Sequence, residues 1–128
     1  METYTDTPYY SFKEETLDAL KDKEGFLVEL GTAEGTVKLA TAAANVVGVL
    51  FQKQEGNPHV NVRLLGKGGT VKVKAGGVIA KGARVTWATG GKVAAAATGT
   101  LLGRKLTQGN SVDNDVIEIL DDGPISVA

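Results

Sequence analysis

Apolar and polar residues alternate in short segments along most of the chain. Val60, Val62 and Leu64 recur at every second position, and Val71 and Val73 alternate with lysines. This period of two is typical of β-strands that bury one side and expose the other. With the intervening glycine- and asparagine-containing turn signals, it predicts about nine strands, at residues 26–31, 36–40, 46–53, 59–65, 70–74, 83–88, 92–96, 101–107 and 115–121. Because no crossover helix lies between them, we expect an all-β fold, a compact barrel or sandwich.

The beginning of the chain has a different pattern. Ser11 followed by Glu14 is a capping box, and Leu17 and Leu20 share one helical face, which together predict a short helix over residues 11–22. Residues 1–10 are threonine-rich and polar, and their proline disfavours helix, so they are predicted to be an extended arm.

Aromatic residues are concentrated in and beside this arm: Tyr4, Tyr9, Tyr10 and Phe12. Such rings are costly to leave in water and are efficient anchors. We therefore expect them to dock on a neighbouring subunit or a partner. The alternative, that the arm packs on its own domain, remains open.

The two halves of the remaining chain run in parallel. The segment that begins at Gly25 aligns with the one that begins at Gly82, and later landmarks align at offsets of 56, 55 and 57 residues. A unit of this length suits two β-meanders closed against each other. We predict a single β domain over 23–122 with halves 25–66 and 82–121, and a tail, 123–128, that is a candidate edge strand.

Composition narrows the classes of function. The 128 residues carry 14 basic and 15 acidic side chains, so the balance does not predict binding to nucleic acid or to an anionic membrane. The absence of cysteine excludes disulfides and thiolate chemistry. No segment resembles a signal peptide or a membrane span, and we expect a protein that works without secretion.

Candidate catalytic groups are sparse. His59 is the single histidine and follows a proline at the start of a strand, where an exposed turn residue is expected. Four carboxylates near the end, Asp113, Asp115, Asp121 and Asp122, do not have calcium-loop spacing. Gly66-Lys-Gly-Gly-Thr lacks the spacing of a phosphate-binding loop. We therefore expect no enzymatic activity, no cofactor and no metal.

Two further features are candidate contacts. Lys72 and Lys74 lie on one face of a predicted strand, either as a solvated edge or as a contact for an acidic partner. Trp87 lies alone on another strand, either as a core residue or as an interface anchor. Both alternatives remain open for each.

One stretch resembles a recurring phrase of a known family. Val78-Ile-Ala-Lys-Gly-Ala-Arg-Val-Thr-Trp, its continuation Gly91-Lys-Val, and the following Leu102-Gly103 have this spacing, and 25–49 is similar to an earlier copy. The family is that of the small capsid decoration (cement) proteins of tailed bacteriophages. The resemblance covers residues 25–121 and depends on glycine and valine spacings.

The resemblance implies a β domain that binds the major capsid protein on the outer surface of an assembled phage head, as a homotrimer, and that stabilises the head without catalysis. It would make the protein part of the virion, synthesised in the host cytoplasm. Alternatives are another phage structural component, such as a head-fibre base or tail protein, and a non-viral β domain that carries or binds a ligand.

Overall fold

The computed structural model describes residues 8–127, and all structural statements below concern this part of the chain. Its regular secondary structure consists of strands and one 3₁₀ turn at Ala43–Asn45, joined by turns and irregular segments. The strands are β1 (Tyr9–Glu14), β2 (Leu27–Leu30), β3 (Thr36–Leu39), β4 (Val46–Lys53), β5 (His59–Leu64), β6 (Thr70–Lys74), β7 (Arg84–Ala88), β8 (Lys92–Ala95), β9 (Gly99–Leu101), β10 (Gly103–Arg104), β11 (Val116–Leu120) and β12 (Ile125–Val127).

The first five strands close into a barrel in the order β1-β3-β2-β4-β5, which we call barrel 1. Neighbouring strands are antiparallel except for β1 and β3, which are parallel. The interior is filled by aliphatic side chains, as a small barrel requires: Leu20, Val28, Val37, Leu50, Val60 and Val62. A closed sheet leaves no unpaired edge, so barrel 1 has no free edge that could pair with another chain.

Strands β6, β8, β7, β10 and β11 repeat this order in two separate sheets, β10-β7-β8 and β11-β6, and we call them together barrel 2. Two of its contacts are single bridges, Ala75↔Val93 and Lys105↔Ile119. The register repeats as well. Val28↔Gly48 of barrel 1 becomes Val85↔Gly103, and Leu50↔Val62 becomes Lys105↔Ile119. The internal repeat seen in the sequence is thus a repeat of strand pairing.

The repeat begins earlier than the sequence alignment showed. Strand β6 pairs with β11 as β1 pairs with β5, since Val71↔Ile119 corresponds to Tyr10↔Val62. The parallel bridge Ala75↔Val93 corresponds to the parallel pair Glu14↔Val37. The predicted halves, 25–66 and 82–121, therefore lack the first strand of each barrel.

This explains why the predicted helix over 11–22 is not found. Residues up to Glu14 belong to β1, and residues 15–22 form bends and turns, with Asp18 and Asp22 at positive φ. The barrel needs a strand between β3 and β5, and residues 9–14 provide it. The capping-box carboxylate of Glu14 instead accepts hydrogen bonds from the backbone N–H groups of Asp18 and Leu20, at 3.0 and 2.9 Å. It thereby holds a turn at the mouth of the barrel.

The other predicted strands agree with the structure to within a few residues. The segment predicted as one strand at 101–107 is the exception, because β9, Gly99–Leu101, and β10, Gly103–Arg104, belong to different sheets. The tail does add a strand, since Ile125–Val127 pairs with β9. Between residues 8 and 127, the fold contains no helix that is long and apolar enough to cross a membrane.

The two barrels share a packed boundary. Leu27, Ala40, Val46 and Val49 on the outside of barrel 1 are buried in the same cluster as the interior of barrel 2. The Leu27 N–H donates to the carbonyl of Gly91 at 2.6 Å, and the Lys74 N–H donates to Gly25 at 2.9 Å. Apolar packing and backbone hydrogen bonds thus join the barrels.

A buried ion pair holds the connection between β5 and β6. The Arg63 guanidinium donates to Asp121 at 2.9 Å, and to the carbonyl of Gly68 at 2.6 Å. The Asp121 carboxylate also accepts from the backbone N–H groups of Gly66 and Lys67, at 2.8 and 3.0 Å. Because every partner of this pair lies in or beside the linker, it orders the chain where barrel 1 passes into barrel 2.

Candidate interaction surface

The predicted aromatic anchors lie on β1 rather than on a free arm. Tyr9 and Tyr10 are 43% and 50% exposed, and Phe12 is half-buried against the core of barrel 1. The rings of Tyr10 and Phe12 have centroids 4.9 Å apart. Tyr4 lies outside the described residues. The pairing of β1 with β5 therefore fixes Tyr9 and Tyr10 on the barrel surface, whereas the prediction left their position open.

Phe51 also belongs to this aromatic surface, although its sequence pattern did not mark it as a contact residue. Its ring lies 4.8 Å from that of Tyr9, and the side chain is 55% exposed. The register of β4 against β5 shifts between Leu50 and Gln52, so Phe51 is the extra residue of a β-bulge and points outward. In the continuous apolar run Val46–Phe51 no alternation marks which side chains face outward.

A groove of about 260 Å³ runs beside these rings between the two barrels. Tyr9 and Phe51 form its aromatic wall, and Thr70, Lys72 and Glu118 of barrel 2 form its polar wall. Lys72 and Glu118 are directly opposite each other on β6 and β11. We call these five residues the aromatic groove. It combines exposed rings with both signs of charge, which suits contact with a protein surface.

The other two predicted contact residues lie elsewhere. Lys74 is half-buried near the boundary between the barrels, and its ammonium lies 3.4 Å from the carbonyl of Asn114. The Trp87 indole N–H donates to the carbonyl of Ala40 at 2.9 Å, and its ring packs against the buried cluster. Trp87 therefore links barrel 2 to barrel 1, and only Lys72 joins Tyr9 in the groove.

A buried charge cluster closes the mouth of barrel 1. Lys53 contacts Glu14 at 2.9 Å and Asp18 at 2.8 Å, and it donates to the carbonyls of Gln54 and Asn57. Burial by itself would lower the pKa of Lys53, but its hydrogen bonds to the two carboxylates outweigh burial and raise the pKa. The hydrogen bond from Lys53 lowers the pKa of Asp18. Both groups are therefore firmly charged near neutral pH, as a structural ion pair requires.

Candidate metal ligands do not converge in the part of the chain described. No cluster of three or more histidine, aspartate or glutamate side chains could hold a metal ion within residues 8–127. His59 is exposed at the start of β5, and its backbone N–H donates to the side chain of Asn57 at 3.0 Å.

These features define an all-β protein in which a closed five-stranded barrel is followed by five strands in the same order, with an aromatic groove between the two. The sequence matches no protein-family profile and no curated protein sequence. Its fold is similar to the solved structure of the N base of head fiber gp8.5 in bacteriophage phi29, with a TM-score of 0.68. The match covers 94% of this chain and 97% of that chain at 10% sequence identity. At this identity the likeness establishes a shared fold that spans both barrels.

Proposed function

We propose that this protein is a structural component of a phage head, and that it acts as a decoration (cement) protein on the outer surface of the assembled capsid. The observation that carries the first part of the proposal, a phage head component, is the fold, which is similar to that of a phage head-fibre base over 94% of the chain. The spacing of residues 25–121, which resembles the decoration family, supports it independently. The proposal assigns no catalytic role and no cofactor.

The aromatic groove is the proposed contact with the major capsid protein. Its rings, Tyr9 and Phe51, and the neighbouring Tyr10 are about half exposed on a closed sheet, and aromatic side chains lose little conformational freedom on binding. Completing their burial contributes roughly 1–2 kcal/mol per ring at about 25 cal/mol per Å². This is too little to hold one copy, and we propose a homotrimer that engages several capsid subunits at once and gains avidity.

A second candidate is the base of a head fibre, which the phi29 likeness favours directly. A fibre base binds the capsid on one side and carries further chain on the other, whereas a decoration protein bridges neighbouring capsid subunits. Heat or low-salt challenge of heads with and without bound protein distinguishes the two. Cement should raise the temperature at which heads open, and a fibre base should leave it unchanged.

Capsid binding is tested by co-sedimentation of the purified protein with heads that lack it. We expect saturable binding by the wild type and strongly reduced binding by Tyr9→Ser combined with Phe51→Ser. The matched control is Val78→Ser combined with Val112→Ser, which removes two apolar side chains that are 68% and 60% exposed away from the groove. A wild-type protein that ignores heads would refute the proposed function. Equal binding by both double variants would refute the groove assignment alone.

A further inference from the structure

Two arginines lie side by side on the outside of barrel 2, and Asp122 lines a small concavity together with both of them. Arg84 on β7 is directly opposite Arg104 on β10, and both are exposed. The Arg104 guanidinium donates to the carbonyl of Gly82 at 3.1 Å. Among residues 8–127 no carboxylate forms an ion pair with either arginine. Like charges directly opposite each other destabilise a sheet, so this pair has a cost that an acidic partner would remove.

The strand repeat shows which residues of barrel 1 are equivalent to the two arginines. Arg84 and Arg104 occupy the positions that Leu27 and Val49 have in barrel 1, because Leu27↔Val49 is equivalent to Arg84↔Arg104. Their equivalents are 0% and 2% exposed, since barrel 2 covers them. In barrel 2 this face is open, and a shallow concavity of about 560 Å³ is lined by both arginines and residues 95–97. We call Arg84, Ala95, Ala96, Ala97 and Arg104 the arginine face.

The same repeat identifies what would cover the arginine face. In barrel 1 the covering groups are Trp87, whose indole binds the Ala40 carbonyl, and Gly91, whose carbonyl accepts from Leu27. The positions equivalent to Trp87 and Gly91 are Leu30 and Gly35 of barrel 1. Leu30 is 57% exposed, although it is a large apolar residue on a strand of a closed barrel. An apolar side chain therefore stands uncovered where its counterpart makes the contact between the barrels.

The charges beside Leu30 complement the arginine face. Glu34 and Glu15 are exposed there, and the backbone N–H of Thr32 donates to Glu15 at 2.6 Å. That hydrogen bond lowers the pKa of Glu15 and keeps it ionised. Two bases lie nearby: Lys13, which is exposed, and Lys38, 4.0 Å from the buried Glu29. We call Leu30, Glu15, Glu34 and Gly35 the Leu30 edge.

We propose that the arginine face of one copy docks on the Leu30 edge of a second copy and repeats, between chains, the contact that joins the two barrels within a chain. The two surfaces differ, so the contact is head to tail and continues from copy to copy until a ring closes. Three copies in such a ring would form the trimer proposed above. The inference gives that trimer its contact surfaces and does not depend on capsid binding.

A charge exchange tests the two surfaces in solution. One variant combines Arg84→Glu with Arg104→Glu, and the other combines Leu30→Arg with Glu34→Arg. We expect wild-type protein to have the mass of an oligomer by light scattering, and each variant to fall to the monomer mass of 13.3 kDa. Mixing the two variants should restore association, because each then offers a surface that complements the other. Asp113→Lys reverses an exposed charge on barrel 2 outside the arginine face and the aromatic groove, and this control should keep the wild-type mass.

Several results would overturn the inference. They are a wild-type protein that stays monomeric at every soluble concentration, variants that keep the wild-type mass, and a mixture that stays monomeric although both variants have native circular dichroism. Failure of head binding with intact self-association would instead refute the proposed function and leave this contact standing.

Discussion

Barrel 1 and barrel 2 have the same strand order and register, but they close their mouths with different chemistry. In barrel 1, the buried Leu20 donates its N–H to the carboxylate of Glu14, which Lys53 neutralises. In barrel 2, the buried Ile79 donates its N–H to the hydroxyl of Ser111 at 3.0 Å. In both barrels, the backbone N–H of a buried residue, Leu20 or Ile79, therefore donates to a side-chain oxygen. The repeat therefore conserves a hydrogen-bonding requirement and not a residue type.

The interiors of the two barrels also differ in residue type at one equivalent position. Leu50 in barrel 1 is 1% exposed, and its equivalent in barrel 2 is Lys105, which is also 1% exposed. The Lys105 ammonium donates to the carbonyl of Gly109. A lysine is tolerated in barrel 2 because the chain after β10 turns back and offers a carbonyl. Barrel 1 is lined by aliphatic side chains at that level.

The largest expected difference in stability comes from placing a lysine at position 50 of barrel 1, which is equivalent to Lys105 of barrel 2. Leu50→Lys should destabilise the protein by several kcal/mol, since the site offers no acceptor and burial of an unpaired ammonium is costly. Lys105→Met should be nearly neutral or stabilising, because it removes a buried charge and keeps the volume. Urea unfolding measures both, with Leu50→Met as the control for shape. A Lys105→Met cost as large as that of Leu50→Lys would show that the two barrels do not differ in this way.

The next largest difference concerns the groups that close the mouths. Glu14→Ala leaves the buried Lys53 with an incomplete set of partners and should cost about 3–5 kcal/mol of unfolding free energy. Ser111→Ala leaves the Ile79 amide without its acceptor and the Gly77 carbonyl without its donor, but no buried charge unpaired, and should cost about 1–3 kcal/mol. The exposed Glu24→Ala serves as a control and should change stability little. Equal costs for the first two variants would contradict a chemical difference between the mouths.

A smaller effect should be shared by the barrels. Gly48 and Gly103 are equivalent, and each lies where its strand crosses close to its neighbour. A Cβ atom at Gly48 would lie 2.6 Å from the carbonyl oxygen of Arg63, and one at Gly103 would lie closer still to the carbonyl of Leu120. Both alanine variants should lose about 1–3 kcal/mol, with Gly103→Ala the worse. Thermal unfolding that ranks them the other way would contradict the close approach.

The smallest expected effect is a pH dependence of stability that comes from the Lys53–Asp18 ion pair of barrel 1. Because the folded pKa of Asp18 is lower than its usual value of 3.8, its contribution is present above that pH and is lost as the pH falls through the lowered value. Because the pKa of Lys53 is raised above 10.5, its contribution is present below that pH and is lost as the pH rises through the raised value.

Asp18→Asn tests the loss of stability at low pH, because asparagine removes the titrating carboxylate and also tolerates the positive φ of 60° at this position. The difference in melting temperature between wild type and variant should be constant from about pH 5 to 9 and shrink as the pH falls below 4. The effect should be modest, since the Asp18 side chain is 34% exposed. A difference that is independent of pH down to 2 would contradict the ion pair.

Most strands could be predicted from the sequence because alternation and turn residues act locally. Residues 11–22 could not, since Ser11, Glu14, Leu17 and Leu20 satisfy a helical pattern that competes with the strand. The closure of barrel 1 decides the competition, because an unfilled place between β3 and β5 would expose two rows of backbone groups. The aromatic groove was half predictable: Tyr9 and Lys72 stood out as residue types, whereas Phe51 became visible only through the bulge in β4.

The sequence by itself determined the all-β class, the turn positions and the internal repeat, because glycine spacing and period-two alternation are local properties of the chain. Only the tertiary structure decided that the first half is a closed barrel and that the second repeats its strand order with two single bridges. It also decided that β1 and β6 begin the halves, and that Trp87 lies against barrel 1 while its equivalent Leu30 stays exposed. These outcomes depend on pairing between residues far apart in the chain, whose register is set by closure and by packing of the two barrels rather than by neighbouring residues.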